Sequence, residues 1–131
     1  MKFYALIFFL ILSCNNQKII LSELQGYWEI DFIKKNNEKF TPKTSILQYD
    51  HYTVDNYKGI MNKVELKIDG TYVTSNDNSS FILDKINDYY FINFRTKWDQ
   101  WNRKIKYLDN KKMILENNNL EYHYKRPFNL K

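Results

Sequence analysis

The feature that most limits the fold is a two-residue alternation of apolar and polar side chains, which begins after Gly26 and continues towards the C-terminus. Trp28, Ile30 and Phe32 alternate with Glu29 and Asp31, so the apolar and acidic sets lie on opposite faces of an extended strand. Similar short segments follow, and none of them has the spacing of a helix. Seven or eight short strands joined by turns predict an all-β fold, either an antiparallel sandwich or an up-and-down β-barrel.

Turn-forming residues separate these strands. Asp69-Gly70 is a strong signal for a two-residue hairpin turn, and Asn87-Asp88 indicates a second hairpin. Asp109-Asn110 and residues 117–119 mark two later turns. In each hairpin the expected register sets apolar residues opposite apolar ones. The predicted pairs are Ile68 with Thr71, Leu66 with Val73, Leu83 with Ile92 and Phe81 with Phe94.

The N-terminal segment has the layout of a secretion signal. Lys2 precedes an unbroken apolar run from Phe3 to Leu12, and Ser13 and Cys14, the only cysteine, follow it. A membrane-spanning helix needs about 20 apolar residues, and this run is about half as long. We therefore interpret it as a leader rather than as a membrane helix.

The end of this leader, residues 11–14, resembles the lipobox of bacterial lipoproteins, in which the signal is cut before a cysteine that carries the lipid. The resemblance implies a signal peptide over 1–13, a lipidated Cys14 with a tether over 14–20, and one domain over 21–131. It implies a bacterial cell envelope location, with the domain in the periplasm or on the cell surface, and Asn15 favours the outer membrane. A secretion signal without a lipid is the alternative.

Length and charge limit the domain further. Removing the first 13 of 131 residues leaves 118, which is enough for one domain. The formal net charge falls from +5 to +4 when Lys2 is removed with the leader. Lysine accounts for 17 of the 20 basic residues, a bias typical of an AT-rich genome. Composition and compartment together argue against nucleic acid as a partner.

The start of the first strand selects a barrel. Gly26-Tyr27-Trp28 follows a predicted helical turn and resembles the G-x-W signature of lipocalins and small bacterial lipocalin-like lipoproteins. In that superfamily a basic residue of the last strand packs across the tryptophan, and Arg126 has the matching position. The resemblance implies a small antiparallel up-and-down barrel of about eight strands, closed at one end by Gly26, Trp28 and Arg126. A glycine turn before an ordinary core strand is the alternative.

Aromatic residues are the candidate binding groups. A buried tyrosine hydroxyl needs a hydrogen-bond partner, which is a side chain, water or a ligand. An eight-stranded barrel is just wide enough to fill itself or to hold one small ligand. The candidate pocket consists of Tyr90, Phe94, Tyr122 and Tyr124 inside the barrel and of Trp98 and Trp101 at its entrance.

Signals for chemistry are weak. His51, beside Asp50, is a candidate base or metal ligand, but a loop histidine without a special role is the simpler interpretation, and His123 is expected on the outer surface. We predict no enzyme, no metal and no cofactor. The preferred function is non-catalytic binding of a small hydrophobic or amphipathic ligand by a membrane-anchored barrel. The alternative is a packed barrel that binds an envelope protein, as an inhibitor or immunity-type factor would.

Overall fold

The computed structural model describes residues 18–43 and 47–127. Cys14 and the leader lie outside the described residues, so the predicted cleavage and lipidation stay predictions. Among the described residues no helix is long and apolar enough to cross a membrane. The elements are a 3-10 helix, Leu21–Leu24, and the strands β1 Gly26–Lys35, β2 Glu38–Phe40, β3 Leu47–Asp55, β4 Lys58–Leu66, β5 Tyr72–Ile86, β6 Tyr89–Arg95, β7 Gln100–Leu108, β8 Lys112–Asn117 and β9 Leu120–Lys125.

The strands form one antiparallel barrel. From β3 to β9 each strand pairs with the next along the chain, while β1 pairs with β3 at its start and with β9 along the rest of its length. The β1–β9 pairing closes eight strands into a ring. The extra strand β2 pairs with the C-terminal end of β1. The predicted all-β barrel of about eight strands is confirmed.

Asparagine-rich turns connect most neighbouring strands. Residues in these turns have positive φ angles, which asparagine and aspartate tolerate better than most residues. At Asn87 and Asp88 the angles are 50° and 67°, as a two-residue hairpin turn requires. The predicted second hairpin is confirmed, with Phe81 opposite Phe94. The other two-residue turns are Asn36-Asn37, Asn56-Tyr57 and Asn118-Asn119.

The predicted register of the Asp69-Gly70 hairpin is wrong by one residue. Leu66 pairs with Tyr72, not with Val73. The apolar match that favoured the predicted register is absent, because Ile68 is fully exposed and both Tyr72 and Val73 are largely exposed.

Local hydrogen bonds explain the shift. The Gly70 N–H donates to the Lys67 carbonyl over 2.9 Å, and the Lys67 N–H donates to the Thr71 carbonyl over 2.9 Å. Gly70 has a φ of 83°, so the connection is a three-residue loop with glycine in the left-handed region. The Asp69 carboxylate accepts from the Thr71 N–H over 2.9 Å and stabilises this longer loop.

One end of the barrel is closed by the residues that the lipocalin resemblance implies. The Trp28 indole is fully buried and its Nε1 donates to the Leu24 carbonyl over 3.0 Å. The Arg126 guanidinium lies 3.7 Å from the centre of the Trp28 ring and donates to the Tyr27 carbonyl over 3.0 Å. A Cβ at Gly26 would lie 3.1 Å from Arg126 Nη1, so the close approach of the arginine favours glycine there. We call this end the floor.

The opposite end is open. It carries the connections β1–β2, β4–β5, β6–β7 and β8–β9, while the connections β3–β4, β5–β6 and β7–β8 and the 3-10 helix lie at the floor. The apolar core fills the half nearer the floor, where Ile92, Ile105 and Met113 are fully buried.

Candidate functional site

A cavity of about 420 Å³ occupies the half of the barrel nearer the open end. A second cavity of about 240 Å³ lies between β1 and β3. The two share Asp50, Lys63, Tyr122 and Tyr124 in their walls. The wall of the larger cavity is formed by Asp50, Tyr52, Met61, Lys63, Asp77, Ser79, Phe94, Trp101, Arg103, Leu115, Tyr122 and Tyr124.

One side of the larger cavity is aromatic. Phe94 and Trp101 are opposite each other on β6 and β7, and their rings stack with centres 5.2 Å apart. Phe94 also packs at an angle against Tyr52 and Phe81, with ring centres 6.3 Å and 6.0 Å away. Phe94 is almost fully buried and Trp101 is half-buried, so Trp101 is the more accessible part of this apolar wall.

An ion pair lies where the two cavities meet, with the Asp50 side chain buried and the Lys63 side chain 55% exposed. Asp50 is only 7% exposed, and Lys63, its partner in the β3–β4 register, places Nζ 2.5 Å from its Oδ1. The pKa of the Tyr52 hydroxyl is raised well above its ordinary value, first by burial and then by the Asp50 carboxylate. Burial, with a smaller contribution from Asp50, also raises the pKa of Tyr124 strongly. Both hydroxyls therefore stay neutral hydrogen-bonding groups at any physiological pH.

Arg103 faces the cavity from β7, where it lies opposite Ile92. Its guanidinium lies 4.9 Å from the centre of the Tyr122 ring, and its Nη1 donates to the Asn102 carbonyl over 2.9 Å. The cavity thus combines an aromatic wall, a neutralised ion pair and a second cation.

Four of the six predicted pocket residues are brought together: Phe94, Trp101, Tyr122 and Tyr124 all line the larger cavity. Tyr90 does not, because it lies nearer the floor than the fully buried Ile92 and packs against the core instead. Trp98 does not either. It lies in the β6–β7 loop, and its side chain is 87% exposed at the open end.

The charged residues of the cavity were missed as site residues. Arg103 is not among the predicted pocket residues, although it is in phase with Trp101 and the buried Ile105. That phase is a signal that was readable from the sequence. Asp50 was considered only as a neighbour of His51, and its pairing with Lys63 follows from the β3–β4 register.

The histidines lie away from the cavity, on the outer face. His51 packs against Tyr27, with ring centres 4.3 Å apart, and burial lowers its pKa. His123 stacks on Phe32 at 4.1 Å, and its Nε2 lies 3.1 Å from a Glu121 carboxylate oxygen. The predicted inward position of Phe32 is wrong, because a register shift between Ile30 and Phe32 turns it to the outer face with His123. The part of the chain that the structure describes holds no cluster of three or more side chains that could bind a metal ion.

A larger groove of about 660 Å³ lies on the outside of the barrel, across β3 to β7. Most of its lining side chains are exposed, including Ile60 and Ile82. The polar side chains of the groove lie on the outer face of the sheet, whereas those of the interior cavity point towards a common centre. The interior cavity is therefore the better candidate site.

Comparison with known proteins adds structural neighbours only. No protein-family model and no curated protein matches the chain. A lipocalin-like protein from Bacteroides uniformis has a TM-score of 0.49 and 12% identity, over 80% of this chain and 99% of that one. An uncharacterized protein from Bacteroides eggerthii has a TM-score of 0.49 and 13% identity, over 79% and 98%. Lobster apocrustacyanin A1 has a TM-score of 0.49 and 14% identity, over 85% of this chain and 64% of that one.

The barrel is lipocalin-like in its own geometry. Eight antiparallel strands close by the β1–β9 pairing, a short helix precedes β1, and Arg126 covers Trp28 at the floor. These features are what the G-x-W resemblance implies.

Proposed function

We propose that the barrel binds one small hydrophobic or amphipathic ligand in its interior cavity and performs no catalysis. The observation that carries the proposal is the meeting of an aromatic wall and a polar centre within about 420 Å³. Ligand sites are typically about 300–1,000 Å³ in volume and are largely apolar with a few convergent polar groups. A molecule with an apolar body and one polar end matches this lining.

The distribution of polar groups supports binding rather than catalysis. General acid–base chemistry at neutral pH most often uses histidine, and His51 and His123 both lie on the outer face. The Tyr52 and Tyr124 hydroxyls at the cavity, whose pKa values are raised by burial, are neutral hydrogen-bonding groups rather than acids or bases at neutral pH.

The leader supports an anchored location for this binding protein. Cleavage before Cys14 and lipidation of that residue would tether the barrel to a membrane of the bacterial envelope. Stable attachment needs more than one acyl chain, and the lipobox resemblance implies two or three. Labelling cells with a palmitate analogue tests this: the protein should take up label, and Cys14→Ser should abolish the uptake. Label retained by Cys14→Ser would contradict the proposal.

A pair of adjacent serines allows a sharp test of the cavity. Ser79 is buried and lines it, whereas Ser80 is exposed on the outer face. Ser79→Phe should fill the cavity, and Ser80→Phe adds the same ring outside it. The neutral apolar fluorophore N-phenyl-1-naphthylamine should bind the native protein and Ser80→Phe, with binding measured by energy transfer from tryptophan. Ser79→Phe should abolish the transfer.

Two results would refute the binding proposal. One is that the native protein shows no energy transfer at any probe concentration. The other is that Ser79→Phe and Ser80→Phe bind the probe equally well, which would place it outside the barrel. A barrel that serves only as a surface for an envelope protein needs no void, so the first result would favour that alternative.

A further inference from the structure

We propose that Arg103 recognises an anionic group on the ligand, so that the barrel selects amphipathic anions such as carboxylates, sulfonates or phosphates. This inference rests on the proposed function, because it assigns a ligand class to the same cavity. The aromatic wall accounts for the binding of an apolar group, but it does not explain a preference for anionic over neutral ligands.

Arg103 occupies an inward position on β7. Its side chain points to the inside of the barrel between those of Trp101 and Ile105, which alternate with outward residues along β7. Inward positions of small barrels usually hold apolar side chains, and moving a charge away from water costs free energy unless the charge is paired. Arg103 is partly buried there, so pairing its charge with a ligand anion would offset this cost.

The described residues satisfy only part of the hydrogen-bonding capacity of Arg103. Among the described residues, the one hydrogen bond that Arg103 donates runs from Nη1 to the Asn102 carbonyl, and no carboxylate forms an ion pair with it. A guanidinium carries five N–H donors. Most of these donors are free to bind a ligand.

The other charged residues that line the cavity are Asp50, Lys63 and Asp77. Asp50 and Lys63 form an ion pair at 2.5 Å and so neutralise each other. Asp77, the remaining acidic residue of the wall, is exposed near the open end. Within the described part of the wall, Arg103 is thus the one cation without an acidic partner.

The geometry around Arg103 suits an anion with an attached apolar body. Contact with the Tyr122 ring, 4.9 Å away, holds the guanidinium in place, and a planar guanidinium binds carboxylates, sulfonates and phosphates through paired hydrogen bonds. Trp101 is two residues away on the same strand, a separation of about 7 Å. An anionic head at Arg103 can therefore continue directly into an apolar or aromatic portion against Trp101 and Phe94.

Two fluorescent probes that differ in one charged group test the inference. 8-Anilinonaphthalene-1-sulfonate carries a sulfonate, and N-phenyl-1-naphthylamine has the same ring system without it. Each is titrated into the full chain in a non-ionic detergent, and binding is read as energy transfer from tryptophan. Protein-free micelles contain no tryptophan and give no such signal.

The variants are chosen to separate charge from structure. Arg103→Gln removes the charge, Arg103→Lys keeps it without the paired donors, and Arg95→Gln removes an exposed arginine from the outer face as a matched control. Arg103→Met is the second neutral variant, for use if Arg103→Gln does not fold. Thermal unfolding of every variant is measured alongside the titrations.

We expect the sulfonate probe to bind about 10- to 100-fold more weakly to Arg103→Gln, which is the loss of charge-assisted hydrogen bonds. The neutral probe should change less than about twofold, Arg103→Lys should be intermediate for the sulfonate, and Arg95→Gln should match the native protein. If Arg103→Gln weakens the binding of both probes equally, Arg103 has only a structural role. If it weakens the binding of neither probe, the anionic group binds elsewhere. Either result overturns the inference. Absence of binding of the neutral probe to the native protein would instead refute the proposed function.

Discussion

Replacing Arg126 by methionine should destabilise the barrel by about 3 kcal/mol. Methionine has an apolar side chain of similar length to the arginine stem, but it lacks the positive charge and the N–H donors of the guanidinium. The guanidinium lies 3.7 Å from the centre of the Trp28 ring and donates to the Tyr27 carbonyl at 3.0 Å and to the Glu23 carbonyl. The cation–π contact contributes about 1 kcal/mol and a hydrogen bond from a charged donor about 1.5–3 kcal/mol. Neighbouring contributions overlap, so the total is smaller than their sum.

The assay is urea unfolding followed by tryptophan fluorescence. Arg126→Met should lower the midpoint without changing the slope, because the surface exposed on unfolding is unchanged. The melting temperature should fall by about 10 °C. Arg126→Lys should be intermediate, since an ammonium keeps the charge over Trp28 but does not span both carbonyls. Arg95→Met, an exposed position on the outer face, is the matched control.

The reasoning fails if Arg126→Met and Arg95→Met have the same effect. A change below about 0.5 kcal/mol is what a surface substitution produces. That result would mean that the β1–β9 pairing alone closes the barrel and that the arginine over Trp28 adds nothing measurable.

Three further predictions concern Gly59 in β4, Phe94 in the cavity wall and Glu121 on β9. Gly59→Ala should cost about 1–3 kcal/mol, because a Cβ there would lie 2.1 Å from the Thr53 carbonyl oxygen and 2.5 Å from Phe81 Cζ. Phe94→Ala should cost about 3–5 kcal/mol in urea unfolding, since it removes a buried ring from the core. The hydrogen bond from Lys106 holds the pKa of Glu121 below its ordinary value of 4.5. Folding stability from this carboxylate is therefore present above pH 4.5 and is lost as pH falls through its lowered pKa. Glu121→Gln should flatten the acid side of the stability profile.

Each of these has a contradicting result. Native stability in Gly59→Ala would show that the strand backbone yields to the added methyl group. If Phe94→Ala lowers the free energy of unfolding no more than a surface substitution does, the neighbouring side chains fill the space that the ring leaves. If the stability of Glu121→Gln falls on the acid side as steeply as that of the native protein, other carboxylates cause the acid sensitivity.

Local signals account for most of the fold. The two-residue alternation defines strands because successive side chains of an extended chain point to opposite faces. Asn87-Asp88 defines a turn because both residues adopt positive φ angles, and the register of Phe81 and Phe94 follows from it. Where a local detail was unreadable, as at Asp69, a side-chain hydrogen bond to the backbone selected a longer loop and shifted the register.

The sequence by itself determined an antiparallel all-β fold, and it placed most of the candidate pocket aromatics inside. The closed barrel with Arg126 over Trp28 was implied by the G-x-W resemblance, because the alternation also allowed a sandwich. Only the tertiary structure decided that the open half holds a cavity rather than a filled core. Whether a void remains depends on the volumes of side chains from strands far apart in the chain, which no local pattern contains. The same holds for the charges: Asp50 meets Lys63 only through the β3–β4 register, and Arg103 is left without an acidic partner only once every strand of the described barrel is in place.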